Sequence, residues 1–206
     1  MAERVTRRDF LKTSVAATGV SLGAAALSSG SPAPAPGSAP LPIKKAVLLG
    51  MLPEKLSYEE RFRMARDAGF EAVEAYTTED QKEAETIQRA AKSARIRIHS
   101  VMNMGHWKWP LSSADPAVVE KGVQSMRVSL HNAHFWGADT VLLVPAVVDS
   151  QTTYRQAWHR SQKQIRALIP LAEQLRVVIA LEEVWNKFLL SPLEFPRYVD
   201  QFQSLW

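Results

Sequence analysis

Cysteine is absent from this chain of 206 residues. The protein therefore has no disulfide, no thiolate metal site, no thiol nucleophile and no cysteine for a lipid anchor. Long apolar runs are absent too. The apolar stretch near the N-terminus, residues 14–27, is rich in alanine and glycine and is shorter than the roughly 18–20 residues that span a bilayer. We therefore expect no stable membrane anchor.

A large excess of charge is also missing from most of the chain. The formal net charge is +4, and residues 1–42 contribute +2 of it through four basic and two acidic residues. The remaining residues are nearly balanced and contain no basic stripe, which disfavours a nucleic-acid surface. A glycine-rich phosphate loop is absent after the first predicted strand, where residues 50–53 read G-M-L-P.

The N-terminus has the form of an export signal. Residues 6–12 read T-R-R-D-F-L-K and precede the short apolar stretch, which is the pattern of a twin-arginine signal. We predict a signal peptide in residues 1–30, a proline-rich and alanine-rich linker in 31–42, and a folded domain in 43–206. The twin-arginine translocase would then be a partner, and the mature protein would be periplasmic or extracellular.

The domain alternates between short apolar runs and amphipathic segments. We predict strands in residues 46–51, 70–76, 96–102, 140–144 and 177–181. Each is followed by a helix, and the helices begin near residues 57, 79, 116, 154 and 191. Five successive strand–helix units predict an α/β fold with a parallel sheet, and a (β/α)8 barrel fits better than a doubly wound sheet because no dinucleotide motif is present.

Several residues mark where the helices begin and end. Ser57 and Glu60 form a predicted capping box, and Thr77 or Thr78 is the predicted start of the second helix. Residues 115–116, Asp-Pro, begin the third helix, which should stop at Gly137. Residues 191–194, S-P-L-E, predict a second capping box before the fifth helix.

The fifth strand ends in two adjacent carboxylates. Residues 177–181 are all apolar, which predicts a strand buried on both faces. Glu182 and Glu183 follow it and must point in opposite directions, so only one faces the mouth of a barrel, where barrel enzymes keep their active sites. Both carboxylates could instead be solvated loop residues. The interpretation we favour makes Glu182 a ligand of a divalent metal.

Residues 180–188, A-L-E-E-V-W-N-K-F, resemble the fifth strand and loop of the sugar-phosphate isomerase/epimerase family, the xylose isomerase-like TIM barrels. The resemblance implies a metal-dependent sugar or sugar-phosphate isomerase or epimerase that transfers a proton through an enediolate. It implies that Glu182 is both catalytic and a ligand of a divalent metal ion (Mn, Mg, Co or Zn). Relatives often carry Asn where this chain has Glu183, a departure that leaves Glu182 unaffected.

Polar and aromatic residues near the other strand ends suit a polyol. On this basis, and by the resemblance of residues 99–118 to ketose-phosphate 3-epimerases, we expect four residues to bind substrate: Glu74, His99, Trp107 and Asn186. A lone histidine after a strand is as often structural, and Trp107 and Trp109 could instead pack the loop. His131 and His134 have helical ligand spacing, but no carboxylate pattern accompanies them, so the end of the helix explains them better.

The family resemblance also implies metal ligands and a second catalytic glutamate that these residues do not supply. An Asp, a His and a second Glu are expected from strands six to eight, whereas the chain carries about the first five β/α units. We therefore expect a truncated barrel that is inactive alone. Two alternatives stay open, an endonuclease IV-like phosphodiesterase on the same fold and a non-catalytic carbohydrate-binding barrel. A small-molecule sugar is the expected partner, nucleic acid is not, and a homo-oligomer is compatible with the sequence.

Overall fold

The computed structural model describes residues 43–206, so the predictions made for the signal and the linker lie outside the described residues. The strands are β1 (Ala46–Leu48), β2 (Ala72–Tyr76), β3 (Arg97–Met102), β4 (Thr140–Leu143) and β5 (Val178–Leu181). The helices are α1 (Tyr58–Asp67), α2 (Gln81–Ala94), α3 (Pro116–Trp136), α4 (Tyr154–Leu175) and α5 (Glu194–Asp200), and a single 3-10 turn, Leu49–Met51, follows β1.

The strands form one parallel sheet in the order β1-β2-β3-β4-β5. Each strand pairs with the next one along the chain, and a helix lies between every pair. Because parallel crossovers are right-handed, this order places all the connecting helices on one face of the sheet. Within the described part of the chain, no helix is long and apolar enough to cross a membrane.

The two faces of the sheet have different surroundings. We call the face under the helices the covered face, and its side chains, among them Val73, Val101 and Val141, have no exposed surface. The opposite face, which we call the open face, carries the alternate residues of the strands. Its members include Leu142 and Ala180, which are only partly buried. The alternation of side chains along the strands therefore separates a packed core on one face from a partly exposed surface on the other, where a ligand could bind.

The best-predicted helix is α3. Asp115 caps it by accepting a hydrogen bond from the backbone N–H of Ala117, Pro116 occupies its first turn, and Gly137 ends it with a φ of 71°. The capping box of Ser57 and Glu60 also forms as predicted at the start of α1. These ends could be predicted because each depends on residues within four positions of one another.

Other helix starts differ from the prediction. Asp80, not Thr77 or Thr78, caps α2 by accepting from the N–H groups of Lys82 and Glu83. The side chains of both threonines bond elsewhere, Thr77 to Ser129 and the carbonyl of Met102, Thr78 to Glu83. The predicted box of residues 191–194 is also wrong, because α5 starts at Glu194 and its N-cap residue, Leu193, provides no side-chain bond. Ser191 makes a preceding turn instead.

The first and fifth strands were also predicted inaccurately. β1 ends at Leu48, and the residues that follow it turn into the 3-10 helix, so the predicted strand was too long. β5 is not buried on both faces: only Ile179 is fully buried, and its neighbours are partly exposed. The reason is its position, since β5 is an edge strand among the described residues and is paired on one side only.

Candidate functional site

The candidate site is built around Glu182, immediately after β5. Its backbone N–H donates to the carbonyl of Leu143, so the strand ladder holds its position. The side chain is partly buried, and this burial raises the pKa of Glu182, with smaller contributions from the negative charges of Glu74 and Glu183. Glu183 is exposed, as expected if only one of the two adjacent carboxylates faces the sheet interior. A carboxyl group whose pKa is raised towards neutrality is suited to accept and return a proton.

Glu74 lies on the open face of β2 and is close enough to Glu182 for their charges to interact. Its carboxylate accepts a hydrogen bond of 2.8 Å from the hydroxyl of Ser100, its partner residue on β3. Two carboxylates from strands that are not neighbours in the sheet thus share one surface. The sequence predicted both residues, but their approach depends on the curvature of the sheet.

His99 occupies an irregularity in the ladder between β2 and β3. Val73 pairs with Ile98 and Glu74 with Ser100, which leaves His99 as an extra residue on β3. Bulges of this kind redirect side chains and are frequent beside active sites. His99 is partly buried, and its carbonyl accepts from the N–H of Asp139. Its predicted contact with substrate stays a prediction.

The loop after β3 is fixed by Asn103. Its side-chain amide donates to the hydroxyls of Ser125 and Ser129 on α3, and its oxygen accepts from the N–H of Gly105. A Cβ atom at Gly105 would lie 2.4 Å from the Ser125 hydroxyl oxygen, so only glycine fits this close approach. The loop is therefore held rigidly against α3. This structural role of Asn103 could not be predicted from residue spacing.

His106 and Trp107 are presented by this rigid loop. His106 is 5% exposed, and no hydrogen-bond partner from residues 43–206 reaches its buried Nδ1. Burial lowers the pKa of His106 to about 4, so its imidazole is neutral at pH 7. The ring of Trp107 meets it edge to face at 5.4 Å and is about half exposed. Trp109 is partly buried beside Gly105 and packs the loop.

The loop after β5 is anchored by Asn186 and Phe188, which are both fully buried. The Asn186 amide donates to the carbonyl of Ala146 and accepts from the N–H of Val184. Asn186 therefore ties this loop to the one after β4, and its predicted contact with substrate stays a prediction. Trp185, between the buried anchors and the carboxylates, is 90% exposed.

The described residues do not complete a metal centre. No group of three or more His, Asp or Glu side chains in residues 43–206 is arranged to hold an ion. Glu182 and Glu74 offer oxygen donors of the kind that hard divalent cations prefer, but Glu74 is bonded to Ser100. His131 and His134 do not form a site either. His134 Nδ1 bonds to the carbonyl of Leu175, and His131 is exposed.

The parallel sheet, its single layer of helices and the carboxylates at the strand ends define an α/β barrel protein. The sequence profile of the xylose isomerase-like TIM barrel family matches residues 62–206. The chain belongs to this family. The predicted fold class is therefore confirmed, with five β/α units of such a barrel in the described residues.

Individual relatives include sugar epimerases. The L-ribulose-5-phosphate 3-epimerase UlaE of Escherichia coli O1:K1 / APEC is 22% identical over 178 residues, and the match covers 80% of this chain and 63% of that protein. The chain thus spans less than two-thirds of the length of this relative.

Solved structures of the same fold are similar as well. A D-psicose 3-epimerase determined in the presence of D-fructose superposes with a TM-score of 0.66 at 16% identity, covering 79% of this chain and 61% of that chain. A xylose isomerase-like TIM barrel protein from Mycobacterium smegmatis in complex with magnesium gives a TM-score of 0.60 at 14% identity, with 79% and 61% covered. At these identities the likeness shows the fold alone.

Proposed function

We propose that the protein is a sugar or sugar-phosphate isomerase or epimerase, and that Glu182 is its proton-transferring carboxylate. The observation that carries the proposal is the partly buried Glu182 at the end of β5, with its pKa raised and Glu74 nearby. Membership of a barrel family whose relatives include sugar epimerases supports the choice of reaction class.

The proposed chemistry starts with proton removal from a carbon next to the substrate carbonyl. The Glu182 carboxylate accepts this proton, and the electron pair of the C–H bond moves into an enediolate. Return of a proton to the same carbon from the opposite face epimerises the sugar, and return to the adjacent carbon interconverts ketose and aldose. A second acid is needed for epimerisation, and by the family resemblance it would be a glutamate of a further β/α unit. Glu74, whose charge contributes to the raised pKa of Glu182, would bind substrate beside it.

A divalent metal ion (Mn, Mg, Co or Zn) is part of the proposal. When bound, it would supply positive charge that lowers the cost of forming the enediolate. Glu182 would provide one of its ligands. The magnesium complex of the structurally similar M. smegmatis protein supports this choice of cofactor. Since residues 43–206 contain no complete ligand cluster, the other ligands would come from further β/α units, and we propose that this chain does not turn over alone.

Carbohydrate binding without catalysis is the second candidate. The exposed Trp107 and Trp185 lie on loops that follow β3 and β5, and indole rings stack well on the carbon faces of sugars. An endonuclease IV-like phosphodiesterase has less support, because such an enzyme needs a basic surface for nucleic acid and residues 43–206 are nearly balanced in charge. The sugar substrate, like export by the translocase, remains a proposal.

Exchange of sugar C–H protons with deuterated solvent tests the proposed reaction. We would follow D-fructose and L-ribulose 5-phosphate by NMR, with added Mn and with the ion removed by a chelator. A barrel completed with three further β/α units should show exchange only with the ion, and the 206-residue chain should show none. Exchange by the chain alone would contradict the proposed inactivity. Sugar binding by the completed barrel without any exchange would favour the non-catalytic alternative.

A further inference from the structure

A large groove lies between α4 and α5, on the helical layer and away from the open face. Its volume is about 760 Å³, within the range of small-molecule sites. One wall is formed by Tyr154, Trp158 and Gln162, which lie one helical turn apart on α4. The other wall is formed by Glu194 and Arg197, one turn apart on α5, and by Gln201 just after it. The site proposed above uses none of these residues.

Positive charge dominates the groove. Arg155 extends from α4 and Arg197 from α5, and His159 lies one turn beyond Arg155. Within residues 43–206, neither guanidinium takes part in an ion pair. Among the described residues of the lining, the one acidic side chain is Glu194; burial, with a smaller contribution from Glu194, raises the pKa of the Tyr154 hydroxyl to about 12. Two arginines and a histidine thus line the cavity with a single carboxylate, and neither arginine forms an ion pair with it.

The floor and the aromatic wall are pre-organised. Gln201 accepts hydrogen bonds from the Gln162 amide at 2.8 Å and from the Trp158 indole at 3.2 Å. The Trp158 ring is also held edge-on by Phe188 at 6.0 Å and by Tyr198 at 4.9 Å. Because these bonds fix the rings and amides in place, a ligand would not have to order them on binding.

We propose that this groove binds a phosphorylated ring compound of monosaccharide size. The phosphoryl group would lie between Arg155 and Arg197, since planar guanidinium groups bind the oxygens of phosphate in pairs and a phosphoryl group has enough oxygens for both. The ring would lie against Trp158, and its hydroxyls would meet the amide of the exposed Gln201, which the buried Gln162 holds in place. The proposal does not depend on Glu182, on a metal ion or on turnover.

Calorimetric titration of the 206-residue chain tests the inference with three probes, D-glucose 6-phosphate, inorganic phosphate and D-glucose. We expect saturable binding of glucose 6-phosphate, weaker binding of inorganic phosphate and none of glucose. Equal affinity for glucose 6-phosphate and inorganic phosphate would refute the ring subsite. The absence of saturable binding of glucose 6-phosphate would refute the site itself.

Two variants locate the binding. Arg155→Gln and Arg197→Gln should each weaken binding of glucose 6-phosphate about tenfold or more, because each removes charge-assisted hydrogen bonds. The matched control is Arg89→Gln on α2, an exposed arginine near Glu85 that carries the same change in charge outside the groove. The control should bind like the parent. Equal weakening in all three variants would show a diffuse charge effect and overturn the proposal, and circular dichroism would confirm that each variant is folded.

Discussion

The covered and open faces of the same sheet differ although they come from alternate residues of the same strands. On the covered face, Val73, Val101 and Val141 have no exposure and pack under the helices. On the open face, Glu74 and Glu182 place carboxylates among partly buried side chains. The covered face holds the fold together, and the open face is where polar groups can approach a substrate without disturbing the core.

This difference explains how a carboxyl with a raised pKa is tolerated. Unpaired carboxylates inside a core are strongly destabilising, whereas a partly buried position costs less and still shifts the pKa. Glu182 is in such a position. Its backbone N–H is bonded to the carbonyl of Leu143 in the sheet, and its side chain lies on the open face. The sheet thus positions the carboxylate through its backbone alone.

The largest effect is expected when asparagine replaces an apolar residue on each face in turn and the free energy of unfolding is compared. Val141→Asn should lower the free energy of unfolding by about 4 kcal/mol, since it removes a buried side chain and leaves an amide without partners. Leu142→Asn, one residue away on the open face, should cost about 1 kcal/mol because Leu142 is only partly buried. Urea denaturation measures both. Equal losses would mean that the faces do not differ as described.

A second effect concerns the buried His106 at the strand ends. Its folded-state pKa of about 4 is below the value of 6.5 in the unfolded chain, so the unfolded chain binds more protons between these values. Stability should therefore fall as the pH is lowered through this window, by about 2 kcal/mol at pH 5 relative to pH 8.

The variant His106→Met isolates this contribution. Its unfolding free energy should vary less with pH than that of the parent, by the same amount of about 2 kcal/mol between pH 8 and pH 5. Denaturation at several pH values gives both curves. Parallel curves would show that His106 titrates normally and is not desolvated in solution.

The smallest effect is the coupling between the two carboxylates of the open face. Glu74→Gln should lower the pKa of Glu182 in the metal-free chain, because it removes a nearby negative charge. The pKa should stay above its usual range, since burial is the larger cause. Carbon-13 NMR titration of the glutamate carboxyl groups measures the shift. An unchanged pKa would place Glu74 too far from Glu182 to share its site.

Local patterns predicted much of the fold. The five strands, the order of the helices and both ends of α3 follow from apolar periodicity and from caps made by neighbouring residues. Several of the failures involve distant partners. Thr77 and Thr78 have the chemistry of caps, but Ser129 and Asn132 on α3 compete for their polar groups. An apolar run such as β5 predicts burial, yet only the sheet order shows that it is an edge.

The site could be predicted only in part for the same reason. Glu182 and Glu74 were found because each ends or lies near the end of a recognisable strand. Their interaction, the extra residue at His99 and the burial of His106 depend on register and packing between segments far apart in sequence. The groove between α4 and α5 corresponds to no sequence motif, because its residues have the spacing of any exposed helix face.

In the proposed reaction Glu182, and not its neighbour Glu183, transfers the proton. The direct test compares Glu182→Gln with Glu183→Gln in the completed barrel, measuring metal-dependent exchange of sugar C–H protons with deuterated solvent. We predict that Glu182→Gln lowers the exchange rate by about 10³-fold or more, as expected for loss of a general base, and that the exposed Glu183→Gln retains it. Full exchange in Glu182→Gln, or equal loss in both variants, would contradict the claim.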